Sequence, residues 1–386
     1  MMNAKTNRIV SIDILRGIIM VIMALDHTRD FFSNYHYDPL DLEHTTVAMF
    51  FTRWITHYCA PVFVFLAGTS AFLSFNNGKT KRQAAWSLLT RGIWLLILEF
   101  TIIKTGWQFN LDYSHLFVQV IWAIGWSMIF LSGLIFLPYA FILTIGLVLI
   151  FGHNMFDTIH AAQFGSNGVL WSIVHEFGVF QLTPSVSLMV IYPLVPWIGV
   201  MAVCYCFGRI FTMPEIERNK WLYGVGSACI LLFGAIRYIN VYGDSHHWAV
   251  QDTVVKTMLS FIDCTKYPPS LLYLLMTIGP AILMLPLLEG LNNVVSRFFL
   301  VFGRVPMFYY VLHIYLIHTV AIVTGLIESL PVSYFTNDMF GPKPGWGFGL
   351  ASVYLFWMLV VGILYFPCRW FMQIKAKHKK WWLSYL

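Results

Sequence analysis

Apolar residues run along this chain in long blocks broken by short polar connections. An α-helix needs about 20 such residues to cross a bilayer. Ten blocks reach or approach that length: residues 12–32, 54–75, 86–104, 116–136, 138–153, 187–209, 221–240, 268–288, 304–325 and 349–368. The fifth is short and meets the fourth at Pro138. Basic residues gather on alternate connections and at both ends: Lys5, Arg8, Lys79, Lys81, Arg82, Arg209, Arg218, Lys220, Arg297 and Arg304, then Lys375, Lys377, Lys379 and Lys380. The opposite connections hold mainly Arg53, Lys104, Lys256, Lys266 and Lys343, set against Asp38, Asp41, Glu43, Asp157, Asp252 and Asp263. That bias places both termini in the cytoplasm. The pattern predicts an all-α polytopic membrane helix bundle of about 10 transmembrane helices with both termini cytoplasmic, residues 1–386 forming one membrane domain. Two long outward connections, 154–186 and 241–267, hold apolar stretches at 169–174 and 248–258, which predicts amphipathic helices lying on the outer surface.

Composition agrees and excludes the other classes. The chain is 58% hydrophobic and 11% charged, whereas soluble domains run about 45–50% apolar and roughly 25% charged. So few charges could not cover two soluble domains of this total length. Aromatics at 17% suit interfacial belts on two membrane faces. The net charge of +6 sits in short connections and a terminal cluster, so nucleic acid is not an expected partner. Of six cysteines, Cys204, Cys206, Cys229 and Cys368 fall in or beside spans, leaving Cys59 and Cys264 as an outer pair rather than a disulfide framework. Lys5 and Arg8 resemble the start of a signal peptide, but Asp13 and Arg16 interrupt the apolar run that follows.

The candidate chemistry starts in the first span. Asp13, Arg16, Met20, Met23, His27 and Asp30 follow one another at spacings of 3, 4, 3, 4 and 3, which puts all six on one stripe of a helix. Charges within a bilayer are costly and usually face a bundle interior. Asp26, His27, Arg29 and Asp30 make a dense polar group at the outer end of that helix. Ten of the 13 histidines fall on the outer side, His36 among them. Other spans add Glu99, then Arg237 and Asn240 at the outer end of the seventh, Lys266 opening the eighth, and Arg304, Tyr309, Tyr310 and His313 in the ninth. Tyr309 and His313 are i,i+4 neighbours that share a face. Together with His27 they suggest a polar cavity reaching inward from the outer face. Proline and glycine at 192–199 and 266–269 mark helix breaks, which membranes tolerate where the freed backbone lines a cavity or is buried. The sequence holds no phosphate loop, dinucleotide fingerprint, nucleophile elbow or zinc spacing, so no metal is expected.

The segment from Ser11, Asp13, Arg16 and Gly17 through Asp26 and His27, with residues 60–69, 192–199, 266–272, 302–306 and 381–386, resembles a bacterial membrane protein family of unknown function. That family is related to heparan-α-glucosaminide N-acetyltransferase, within the transmembrane acyltransferase superfamily, and the resemblance spans nearly the whole chain. It implies a multi-pass protein of the bacterial cytoplasmic (inner) membrane. The implied reaction moves an acetyl group from cytosolic acetyl-CoA to an amino or hydroxyl group of a glycan on the periplasmic side. Counted from the shared Arg16-Gly17 pair, the related enzyme's active histidine falls near Asp38, with His36 the closest histidine. His27 aligns with an asparagine of that site, so both histidines stand as candidates. A homodimer is suggested by the same analogy.

Transfer from a thioester needs a base, for which His27 oriented by Asp26 or Asp30 is the candidate. Oxyanion donors could come from His313, Tyr309 or Arg237, and Arg237, Asn240, Lys266 and Tyr309 are the candidate acceptor contacts. A histidine that itself accepts the acetyl group is the other route. Arg16, Arg91 and Arg304 on the inner side are candidates for the phosphates of CoA. The alternative function is a transporter or flippase for a glycan or lipid-linked precursor, since intramembrane polar residues and broken helices serve either. A third class, a membrane sensor, has only the outer histidines behind it.

Overall fold

The first apolar block forms α1 (Val10–Phe32). Beyond it, α2 (Val47–Ile55) passes through a tight turn at Thr56–Tyr58 into α3 (Cys59–Asn76). A capping box of Thr80 and Gln83 starts α4 (Lys81–Leu98), which continues through a π-helical turn, Glu99–Ile103, into α5 (Lys104–Gln108). Then come β1 (His115–Val118), α6 (Val120–Leu134) and α7 (Tyr139–Gly152). Next are α8 (Gly168–Val174), β2 (Gly178–Thr183), β3 (Val186–Val190) and α9 (Leu194–Phe207). The chain continues with α10 (Glu215–Ile239), α11 (Val254–Ile262), α12 (Leu271–Leu288) and α13 (Val294–Arg304). It ends with α14 (Pro306–Ile327), α15 (Ser333–Thr336) and α16 (Leu350–Lys377). This computed structural model describes residues 9–336, 345–378 and 380–385. The basic positions Lys5, Arg8, Lys343 and Lys379 lie outside the described residues.

Eight helices are long and apolar enough to cross a membrane: α2–α3, α4–α5, α7, α9, α10, α12, α14 and α16. They coincide with eight of the expected spans, and the fold is a polytopic helical membrane bundle. The other two expected spans are helical as well. The helix α1 has 23 residues but carries the charged stripe, and α6 is apolar but only 15 residues long. The helices α3, α12, α13, α14 and α16 all pack on α1.

Glycine pairs let four helix crossings close to backbone contact. Gly17 meets Gly303 between α1 and α13, and Gly92 meets Gly125 between α4 and α6. Gly146 meets Gly199 between α7 and α9, and Gly226 meets Gly279 between α10 and α12. Lipid tails are as apolar as leucine, so close van der Waals approach at small residues drives helix association in a bilayer.

Three local expectations need correction. The connection 154–186 does not lie wholly as surface helix: after α8 the chain enters a hairpin, β2 against β3, with β1 parallel to β3 on the other side. Pro184 in the turn stops any helix there, and the β-branched Val186 and Val190 favour a strand. Second, the fourth and sixth spans begin as the strands β1 and β3, ahead of their helices. Third, the ninth span starts at Pro306, because the residue before a proline avoids the helical region and Val305 sits at φ −131°. Ahead of that break lies an unanticipated helix, α13, started by a capping box of Asn293 and Ser296. Cys59 and Cys264 are buried free thiols.

Candidate functional site

The stripe on α1 lines two cavities at opposite ends of that helix. Asp13, Arg16 and Met20 face a cavity of about 690 Å³ at its N-terminal end. Met23, Asp26, His27 and Asp30 face one of about 380 Å³ at its C-terminal end. Phe63 of α3, Val120 of α6 and Tyr310 of α14 stand in the walls of both. The two spaces therefore approach each other across one layer of side chains inside the bundle.

In the His27 cavity, electrostatics centre on Asp26. Its carboxylate accepts from Arg53 Nη1 at 2.8 and 2.9 Å, pairs with Arg29 Nη2 at 2.9 Å, and lies 3.8 Å from Lys266 Nζ. Arg29 also donates to Asp30 at 2.7 Å. Asp26 is thus held by cations, and no hydrogen bond joins it to His27 among the described residues. Asp30 Oδ2 is 3.8 Å from His27 Nδ1, beyond hydrogen-bond reach. That nitrogen is buried without a hydrogen-bond partner among the described residues. The imidazole is placed by rings instead: edge-on to Trp107 at 4.8 Å and tilted against His313 at 5.2 Å.

The neighbouring elements explain these placements. The π-helical turn sets Glu99 so that its Oε1 accepts from Gln119 N at 2.6 Å, anchoring the start of α6 just before Val120. Such turns recur at functional positions. Trp107 lies on the helical turn that follows it. Met189, Ile191 and Tyr192, at the end of β3 and just after it, form another wall, opposed by Tyr267 just before α12. The rings of Tyr192 and Tyr267 are 5.2 Å apart, so the two expected helix breaks are helix starts that meet at this cavity. Burial raises the phenol of Tyr267, but Lys266 and Arg53 outweigh it and hold the group below its usual range.

The other cavity brings together Arg16, Arg91 and Arg304 with Lys375 and Tyr385. Arg16 reaches Asp13 at 3.0 Å, Gly303 O at 3.2 Å and Ser70 Oγ at 3.0 Å. Tyr385 pairs with Thr90 Oγ1 at 2.9 Å and lies under the Arg91 guanidinium at 6.0 Å, which ties the C-terminal segment to the cavity wall.

The remaining predicted residues lie apart from the cavity linings. His36 is exposed on the loop after α1. Arg237 is 1% exposed and donates to Phe261 O at 2.9 Å, His246 O at 2.7 Å, Ser260 O at 2.9 Å and also Asp263 O, closing the C-terminus of α11. Asn240 takes a left-handed turn at φ 57° after α10 and holds both backbone groups of Trp248. His313 is fully buried behind His27, its Nδ1 3.2 Å from Tyr309 O. Tyr309 lies stacked on His313. Arg53, Trp107, Gln119, Tyr192 and Tyr267 were not singled out from the sequence. For Arg53 a signal existed, since Asp26 inside an apolar span requires a cation and few lie on that side of the chain. Among the described residues, no three His, Cys, Asp or Glu side chains gather as a metal would require.

This arrangement defines a multi-pass helical membrane protein with two cavities that share Phe63, Val120 and Tyr310, one of them lined by a histidine and a cluster of paired charges. Residues 8–234 match the family model described as heparan-alpha-glucosaminide N-acetyltransferase, catalytic, and the chain belongs to that membrane acetyltransferase family. The matched region holds α1, Arg53, Trp107 and the shared residues Phe63 and Val120, while Lys266, Arg304 and Tyr310 lie beyond it. No curated protein matches the chain.

Proposed function

We propose that this protein moves an acetyl group from acetyl-CoA, bound in the Arg16 cavity, to an amino or hydroxyl group of a glycan in the His27 cavity. The observation that carries this reading is the pair of cavities sharing Phe63, Val120 and Tyr310. A donor and an acceptor entering from opposite ends would meet at that layer. In this reading the protein sits in a bacterial inner membrane with the Arg16 end facing the cytoplasm and the His27 end the periplasm, an orientation that the positive-inside bias supports. Arg16, Arg91, Arg304 and Lys375 supply the charge that CoA phosphates need.

At the meeting point the acceptor nitrogen or oxygen attacks the thioester carbonyl carbon, and His27 removes the proton it loses. Tyr310, whose hydroxyl is buried without a hydrogen-bond partner among the described residues, donates to the oxyanion that forms. Collapse breaks the carbon–sulfur bond, and the proton on His27 passes to the leaving thiolate. The products are the acetylated acceptor and CoA. His27 thus acts as the base with the Asp30 carboxylate 3.8 Å from its Nδ1, its ring held by Trp107 and His313.

The test is acetyl-CoA binding by protein in nanodiscs, against CoA and a nucleotide control, with Arg16→Gln and Arg304→Gln compared. Saturable binding that weakens in both variants supports the transferase. Folded protein that binds neither acetyl-CoA nor CoA overturns it and favours transport.

A further inference from the structure

In the proposed reaction His27 takes up a proton in the smaller cavity, whereas the sulfur that needs one leaves on the side of the larger cavity. His27 lines only the smaller, while Tyr310 of α14 lines both. His313, one turn further along α14, has its ring beside each of them, 5.2 Å from that of His27 and 5.4 Å from that of Tyr310. Its one hydrogen bond fixes its chemistry. His313 Nδ1 is 3.2 Å from Tyr309 O, and a carbonyl oxygen only accepts, so Nδ1 carries the proton of the neutral ring and Nε2 carries the lone pair. That Nε2 is buried without a hydrogen-bond partner among the described residues, as is the hydroxyl of Tyr310. Unsatisfied polar atoms are rare in a folded interior, and catalytic work is one recognised reason for them. With its proton committed to Tyr309 O, neutral His313 has none to give an oxyanion, which was one expectation for it. It can only accept. Tyr309 stacks on the same ring at 5.4 Å but lines neither cavity, so it offers a proton no exit.

We infer that His313 relays the proton from His27 to Tyr310, which delivers one to the leaving sulfur across the shared layer. This role rests on the transferase reading and adds to it the route by which the proton changes cavity. As the acceptor bonds to the carbonyl carbon, His27 takes its proton and the Tyr310 hydroxyl holds the oxyanion. His27 passes the proton to His313 Nε2, while Nδ1–H stays on Tyr309 O. When the carbon–sulfur bond breaks, its electron pair stays on sulfur. Tyr310 gives its hydroxyl proton to that sulfur and takes the proton held at His313 Nε2. All three side chains end as they began, and one proton has moved from the acceptor to the thiol of CoA. His313 touches neither substrate and acts through its two neighbours.

The experiment follows labelled acetyl transfer from acetyl-CoA to glucosamine, which offers both an amine and hydroxyls, in nanodiscs and in mixtures of ordinary and heavy water. Native protein, His313→Asn, Tyr310→Phe and the double variant are compared, with melting and acetyl-CoA binding measured alongside. Asparagine keeps an amide donor for Tyr309 O but has nothing in the place of Nε2. In His313→Asn, kcat should fall by about 10²-fold, the low end of the range for a group that moves a proton in the transition state, while KM for acetyl-CoA holds. The rate should depend on deuterium fraction along a curve in native protein, marking several protons in flight, and along a straighter line in either single variant. Residues on one path act as a unit, so the double variant should be no slower than the slower single one. Nitrogen NMR of isotope-labelled histidine gives a readout apart from activity: the signals lost in His313→Asn should report a protonated Nδ1 and a bare Nε2. Should that variant fail to fold, His313→Gln assigns the signals and Tyr310→Phe carries the deuterium test. Losses that multiply in the double variant, a deuterium profile that neither variant changes, or an Nε2–H tautomer would overturn the relay and leave the transferase intact. Native protein that acetylates neither the amine nor the hydroxyls removes the transferase reading and the relay with it.

Discussion

Gly17 and Gly303 lie backbone against backbone where α1 crosses α13. A Cβ on Gly17 would stand 1.9 Å from Phe299 O, and one on Gly303 would stand 1.8 Å from Asp13 O. Neither obstacle is a flexible side chain, so the two helices would have to separate. Arg16 and Arg304 are the neighbours of these glycines, and Arg16 donates to Gly303 O. The crossing therefore sets the distance between two arginines of the larger cavity.

Gly17→Ala and Gly303→Ala should each destabilise the protein by at least the roughly 1–3 kcal/mol typical of overpacking. Acetyl-CoA affinity should fall with the melting temperature. Gly224→Ala is the control, since a Cβ there meets nothing within 4 Å. Native-like melting of Gly303→Ala would show that the crossing has slack.

His27 and His36 are the two histidines the sequence leaves in contention, and their surroundings differ. His27 lines the cavity between Trp107 and His313, whereas His36 is exposed on a loop. His27→Gln should lower kcat by about 10²–10⁴, the usual range for a lost general base, with unchanged melting. His36→Gln should stay within about twofold of the native rate, as expected of a group outside the reacting geometry. Reversal of the two results would move the chemistry to the loop.

How much of this was legible depends on the kind of spacing involved. The stripe on α1 can be read because helical periodicity turns spacings of three and four into a face, and both cavities use that face. The basic residues at the Arg16 end were visible for the same local reason, as flanks of apolar blocks. Arg237 and Asn240 looked like members of the site because they end a span on the outer side. What holds them, carbonyls of 246–263 and the backbone of Trp248, is set by a loop path that no periodicity encodes. Trp107 was not singled out, since its contact with His27 joins α5 to α1 across the bundle. The helix α13 escaped notice because its 11 residues are too few to span, although its capping box was there to read.

His246 offers a pH-dependent test of the outer loop. Its Nδ1 is 3.3 Å from Asp263 Oδ2. Hydrogen bonding to Asp263 raises the imidazole above its usual range, with Asp263 and Asp244 adding charge attraction against partial burial and Arg237. A raised folded value means the contribution is full below the unfolded pKa and is lost as pH rises through the folded one. The ring is 60% exposed, so solvent screens the pair and the effect is small. Hydrogen exchange in 241–267 should be slower at about pH 5.5 than at about pH 8.5 after correction for intrinsic rates, the interval spanning a raised histidine pKa. Asp263→Asn should abolish that difference, and a profile unchanged by the substitution would defeat the assignment.

Arg237 provides the sharpest separation between a structural and a substrate-binding role. Its guanidinium donates to carbonyls of Ser260, Phe261, Asp263 and His246 while 1% exposed. Three of those carbonyls end α11 or directly follow it, and Lys266 and Tyr267 come next in the chain. Arg237→Met removes a buried charge that bonds only to backbone, leaving the carbonyls without donors. A buried acceptor left unsatisfied costs about 1–3 kcal/mol, so a loss of at least that size is expected. Arg237→Lys should not rescue, because an ammonium cannot reproduce a fork that serves four acceptors. Limited proteolysis should then cut within 241–267, and acceptor turnover should drop because the wall bearing Lys266 and Tyr267 is displaced. Acetyl-CoA affinity should hold, since its proposed cavity lies at the other end of α1. A variant that resists protease and melts normally yet loses acceptor turnover would put Arg237 in contact with the acceptor instead.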